Sequence, residues 1–151
     1  MDTPNNVDAN SILPILKKIP LFATLDENLH REVIKRIILM YYPDNYQVFK
    51  EGELGDALYI VKKGKIKIYH EPKEGSILPV DVADLNDGEF FGEMSLISDI
   101  PHNASARSVS ESEVFILSKD QFHELLNNNA ALAHQVSETV VHRANDNDQQ
   151  V

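Results

Sequence analysis

Apolar positions in this chain switch from helical to strand spacing and back again. Over Ser11–Ile19 the residues Ile12, Leu13, Ile15, Leu16 and Ile19 form a stripe interrupted by Pro14, which predicts a short helix or turn packed on the domain. Leu25, Leu29, Val33, Ile34, Ile37 and Ile38 then recur at the steps of one helix face, and Thr24 with Glu27 has the spacing of a capping box at its start. From Tyr41 the period is that of strands. Tyr46–Lys50, Ala57–Lys62, Lys65–His70, Ile77–Ala83, Ala104–Val109 and Glu113–Leu117 are short and rich in β-branched or aromatic residues. Turn residues separate them at Glu51–Asp56, Lys63-Gly64 and Asn86-Asp87-Gly88. Many short strands with frequent turns predict an antiparallel barrel or roll. Helical spacing returns after Ser118 and Gln121, a second capping box, with Phe122, Leu125 and Leu126 on the buried face. Asn127-Asn128-Asn129 breaks that helix, and a last one from about Ala130 carries Leu132, Val136 and Val140. The organisation expected is a disordered tail over 1–10, one domain over 11–143 and a polar tail over 144–151. Within the domain the roll covers about 38–118 and the C-terminal helices about 119–143.

Composition narrows the classes of function. The 151 residues suit one domain, and a hydrophobic share of 42% is too high for a disordered chain. A net charge of −10 argues against nucleic acid and against an anionic membrane surface as partners, since both demand clustered Lys and Arg. There is no cysteine, hence no disulfide framework and no thiolate metal site. No apolar run approaches the ~18 residues of a membrane span, and no basic-then-apolar leader opens the chain, so a cytoplasmic location is expected.

Catalytic chemistry finds little support. The six histidines are scattered and form no HxH pair with a nearby acid, so no metal site is expected. There is no nucleophile paired with a base and no Walker-type loop, so neither an enzyme nor a cofactor is expected. The densest chemical pattern is FGEMSLISDIPHNAS at 91–105. Gly92, lacking a Cβ, lets backbone approach a ligand closely, and Glu93 beside it is an acceptor suited to a ribose hydroxyl. Met94–Ile97 has the length of one helical turn, whose free N–H groups attract an anion. Taken singly, Gly92 is as well explained by a turn and Glu93 by a solvated surface. Together they describe a sugar-phosphate pocket.

This stretch resembles the phosphate-binding cassette of the cyclic-nucleotide-binding domain family, which includes protein kinase A regulatory subunits, cyclic-nucleotide-gated channels and the catabolite activator protein. The family pattern is Phe-Gly-Glu-(Leu/Met)-Ala-Leu followed by Pro-Arg-x-Ala-(Thr/Ser). Phe91, Gly92, Glu93, Met94, Leu96, Pro101, Ala104 and Ser105 fit it, Ser95 replaces the usual alanine, and His102 replaces the arginine. Leu21-Phe22, Phe49-Lys50-Glu51-Gly52, Gly55-Asp56, Leu58–Val61 and Gly64 also match, and Asn45 stands at a turn glycine. The resemblance implies a mainly β fold with flanking helices, an antiparallel β-roll (jelly-roll-like barrel) with a cassette helix. The ligand it implies is a cyclic nucleotide, cAMP or cGMP, in a non-catalytic regulatory domain that signals to an effector domain or partner protein. The implied binding residues are Phe91, Gly92, Glu93, Met94, Ser95, Pro101, His102, Asn103, Ala104 and Ser105, with Glu93 accepting from the ribose 2′-hydroxyl. The two C-terminal helices resemble hinge and lid helices that move when family members bind ligand.

His102 governs the expected affinity. An arginine brings a permanent charge and a planar donor fork, whereas histidine is mostly neutral at pH 7. Removing one partner of a buried charge pair costs on the order of 2–5 kcal/mol. That is roughly 30-fold to several thousand-fold in affinity, of which backbone N–H groups near Ser95 and Asn103 would recover a part. Arg107 is not expected to substitute, because Ala104 and Ala106 should face the interior and Arg107 outward. Binding is therefore expected to be weak. The alternative is a degenerate fold serving as a protein-interaction or dimerisation module without nucleotide, its homodimer formed through helix 130–143.

Overall fold

The structure, a computed structural model, describes residues 8–146. It contains a helical unit, made of the chain up to Ile37 and from Asp120 onward, and a strand unit over Ile38–Lys119.

The strand unit consists of β1 (Ile38–Tyr42), β2 (Gln47–Phe49), β3 (Ala57–Lys63), β4 (Ile66–His70), β5 (Val80–Leu85), β6 (Phe90–Phe91), β7 (Ser105–Ser108) and β8 (Ser112–Ser118). They form two four-stranded antiparallel sheets of order β1-β8-β3-β6 and β2-β7-β4-β5, an antiparallel β-roll. One cluster of buried side chains draws on both sheets: Tyr42, Ala57, Tyr59, Val61, Ile66, Ala106 and Val114. In β3 five consecutive residues, Ala57 to Val61, are buried, so this strand is covered on both faces. Asn45 takes the left-handed backbone, φ 65°, that leads from β1 into β2.

In the helical unit, α1 (Ala9–Leu16) is capped by Asp8, which accepts from the Asn10 N–H at 3.0 Å. The helix α2 (Glu27–Ile34) is capped by Asp26, which accepts from the Leu29 N–H at 2.9 Å. The helices α3 (Lys119–Asn128) and α4 (Ala130–Asp146) follow the roll, and Asn129 between them accepts from the Leu132 N–H. Phe22 meets Phe122 edge-on at 5.8 Å, and Arg36 donates to Gln121 and pairs with Glu124. These contacts tie the segment around α2 to α3.

Several boundaries differ from the pattern-based expectation. The helical stripe ends at Ile34 and not at Ile38, because Ile38 pairs across to Ile116 as the first residue of β1. The cap is Asp26 rather than Thr24. The strand expected over Ile77–Ala83 runs instead over Val80–Leu85, in register with Ile66–His70, and leaves Ile77 and Leu78 in an exposed loop. Pro79, which cannot donate to a ladder, stands before its first residue. Only Asn129 of the asparagine run interrupts the helices. Of the tails expected at 1–10 and 144–151, residues 1–7 and 147–151 lie outside the described residues, while Ala9 and Asn10 open α1.

Candidate functional site

The site is built where the chain leaves β6 and folds back before β7. Gly92 turns it with φ 84°, and a Cβ there would stand 2.6 Å from the Ala57 carbonyl oxygen. Any other residue would strain the backbone and collide with β3. A 3₁₀ turn, Glu93–Leu96, follows, one residue earlier than the turn read at Met94–Ile97. It buries Glu93 and Ser95 and leaves Met94 exposed. The Ser95 N–H donates to the Gly92 carbonyl at 3.0 Å, and the Ser98 hydroxyl to the Met94 carbonyl at 2.8 Å.

Residues 98–103 then return as a pinned strap. Pro101 bridges to Leu54, the His102 N–H donates to the Glu53 carbonyl at 2.8 Å, and the His102 carbonyl accepts from the Gly52 N–H at 2.9 Å. At the other end the Lys119 ammonium donates to the Ser98 carbonyl at 2.8 Å and pairs with Asp99. Gly55 permits this closeness, since a Cβ on it would lie 2.1 Å from Ser95 Oγ and 3.3 Å from His102 Cε1.

Turn and strap enclose a cavity of about 450 Å³. Phe91, Gly92, Glu93, Met94, Ser95, Pro101, His102, Asn103 and Ala104 line it, joined by Phe49, Ile68, Phe90, Ser98 and Ile100. Of the residues singled out in the sequence, Ser105 alone is elsewhere. It is fully buried on β7, where its hydroxyl donates to Glu71 at 2.5 Å and accepts from the Glu51 N–H at 2.9 Å. Of the additional lining residues, Phe49 stands in a stretch that already matched the family pattern. Ile68 was readable only as an inward strand position.

His102 is held as the outer plate of an aromatic pile. Its ring lies 3.5 Å from Phe49 and 4° from parallel. Phe49 rests in turn on Tyr59 and Phe91, which stack on each other at 4.9 Å. Burial lowers the imidazole pKa from its ordinary value and outweighs Asp56 and Glu53, both of which pull it up. The ring at the arginine position is therefore uncharged at neutral pH. Arg107 does not replace it. It lies away from the cavity, donating to Asn45 at 3.2 Å and to Gln47 at 2.8 Å. Among the described residues that line the cavity none is lysine or arginine, and the one carboxylate is that of Glu93.

Of the backbone donors expected near Ser95 and Asn103, that of Ser95 is already engaged. The N–H groups of Ser95 and His102 are both committed to protein carbonyls. The cavity thus offers an aromatic and apolar wall, a buried carboxylate and a group of small polar side chains.

Residues 39–129 match the family model described as the cyclic nucleotide-binding domain. The chain is 32% identical over 107 residues to the cyclic AMP receptor protein of Thermus thermophilus, covering 71% of this chain and 49% of that protein. It is 30% identical over 111 residues to the cAMP-dependent protein kinase regulatory subunit of Yarrowia lipolytica, covering 74% of this chain and 28% of that protein. The chain thus spans about half or less of the length of these relatives. Its fold is similar to the crystal structure of the N-terminal domain of a transcriptional regulator from Streptomyces coelicolor, with a TM-score of 0.79 and 25% identity over 91% of this chain and 96% of that one.

Proposed function

The chain belongs to the cyclic nucleotide-binding domain family, and from that premise we propose that its cavity takes a cyclic nucleotide, cAMP or cGMP, in a non-catalytic regulatory sensor. The observation that carries this reading is the cavity itself. A volume of about 450 Å³ lies within the range of small-ligand sites, and its wall is the Gly92–Ser95 turn and the Pro101–Ala104 strap. Glu93, 9% exposed, presents a carboxylate for sugar hydroxyls, and Phe49, Phe91 and Ile68 form an apolar wall for a base. The family names carried by the relatives, a cyclic AMP receptor and a kinase regulatory subunit, support the same ligand class.

Sensing would proceed by population shift, with ligand favouring one arrangement of turn, strap and C-terminal helices over another, and so reporting to an effector. Among the described residues no helix is long and apolar enough to cross a membrane, and a cytoplasmic setting is part of the reading. The helix α4 is less suited to a dimer seam than its sequence suggested, since Leu132 and Val136 are already buried within the chain.

Affinity should be weak at neutral pH and rise with acid. An anion in the cavity favours imidazolium, and burial holds the His102 pKa low in the empty state, so the charged ring becomes available only as pH falls below the ordinary histidine range. Glu53 and Asp56 on the adjoining turn face the same ring and favour its protonation. Calorimetric titration with cAMP and cGMP at about pH 7.5 and about pH 5.5 should give the tighter isotherm at the lower pH. Equal affinities would remove His102 from ligand binding. No binding at either pH would leave the chain as an interaction module.

A further inference from the structure

We propose that at neutral pH this cavity is a nucleoside site: it takes uncharged nucleosides as tightly as the corresponding cyclic nucleotides, to within about threefold, or more tightly. The inference rests on the cyclic-nucleotide reading for the location of the site and deepens it by naming the charge class of ligand. It comes from the inventory of groups that an anion would meet.

An anion leaving water must recover its hydration from cations or from donors aimed at it. Among the described residues the lining holds no lysine or arginine. Two backbone N–H groups that could serve, those of Ser95 and His102, donate to the Gly92 and Glu53 carbonyls. Lys119, the cation attached to the strap, donates to the Ser98 carbonyl and pairs with Asp99. The Ser105 hydroxyl donates to Glu71. Meanwhile the charges that surround His102 are the carboxylates of Glu53 and Asp56, and Glu93 stands in the cavity wall. Each disfavours a phosphodiester brought to the same place.

The features that suit the rest of a nucleoside are intact. A carboxylate accepts hydroxyl protons without needing the ligand to be charged. Ser95, Ser98 and Asn103 add neutral polar groups that serve a hydroxylated sugar as well as an anion. The ring of His102, parallel to Phe49 and uncharged at neutral pH, extends the aromatic wall of the cavity. Removing the cyclic phosphate therefore removes a charge that meets no lysine or arginine among the described lining residues, while leaving the other contacts in place.

The test compares matched pairs, adenosine against cAMP and guanosine against cGMP, by calorimetry on the full chain at about pH 7.5. The nucleoside of the tighter-binding pair should have a dissociation constant no more than about threefold above that of its cyclic nucleotide. The same titrations on His102→Arg should reverse the order, with the cyclic nucleotide preferred by tenfold or more, because a fixed guanidinium supplies the missing partner. If wild-type protein prefers the cyclic nucleotide by more than threefold, the charge inference is wrong and the cyclic-nucleotide reading stands. Binding of nucleoside alone would uphold the inference and confine cyclic-nucleotide binding to acid pH. Binding of neither overturns both.

Discussion

Two residues decide whether the cavity exists and what it can hold. Gly92 decides the first. Its φ of 84° and the 2.6 Å approach of a would-be Cβ to the Ala57 carbonyl leave room only for hydrogen. Gly92→Ala should therefore cost about 1–3 kcal/mol of stability in denaturant unfolding and weaken any ligand. A loss below about 0.5 kcal/mol would mean that the turn relaxes without strain. His102 decides the second. Its place in the pattern was legible from the chain, and so was the absence of an arginine. Its parallel stack on Phe49 was not, because Phe49 is distant in sequence and nothing in the residue types specifies that the two rings meet. The lowered imidazole pKa gives a sign that can be checked in the empty protein. The folded state binds the proton less readily than the unfolded chain, so stability attributable to His102 is complete above pH about 6.5 and declines as pH falls toward the lowered value. His102→Asn should flatten the unfolding midpoint across pH about 6.5 to about 5 relative to the wild type.

At the level of elements, strands with a strong β-branched or aromatic run were legible and boundaries were not. The two candidate caps before α2 illustrate why. Thr24 and Asp26 are both cap-forming types, and the Thr24–Glu27 spacing favours the former, yet Asp26 accepts from the Leu29 N–H at 2.9 Å. Asp26→Ala should cost about 1 kcal/mol in thermal or denaturant unfolding, and Thr24→Ala less than half of that. A larger loss at Thr24 would restore the capping box. The strand β6, only Phe90 and Phe91, has no periodicity to read, and it exists because those residues pair with Ile60 and Tyr59 of β3. It is nonetheless the element that aims Gly92 and the cassette turn. The register of β5 likewise comes from pairing with Ile66–His70 and not from its own pattern.

For the whole molecule the governing quantity is the net charge of −10. Exposed pairs such as Arg31–Glu27 and Lys67–Asp81 contribute little each, so general repulsion should dominate the salt response. Raising ionic strength from about 0.02 M to about 0.2 M should raise the unfolding midpoint by a few degrees, and an unchanged or lower midpoint would show that local pairs outweigh the repulsion. The fold class and the contiguous part of the cavity lining, Phe91–Ser95 and Pro101–Ala104, were legible along the chain, because a roll is encoded by local turn chemistry and alternation, and a cassette is contiguous. Three outcomes were decided only in three dimensions: the commitment of the Ser95 and His102 N–H groups to nearby carbonyls, the burial of Ser105 against Glu71, and the parallel stack of His102 on Phe49. Each depends on atoms far apart in sequence competing for the same hydrogen bonds and the same water-free space, and no local pattern records which competitor wins.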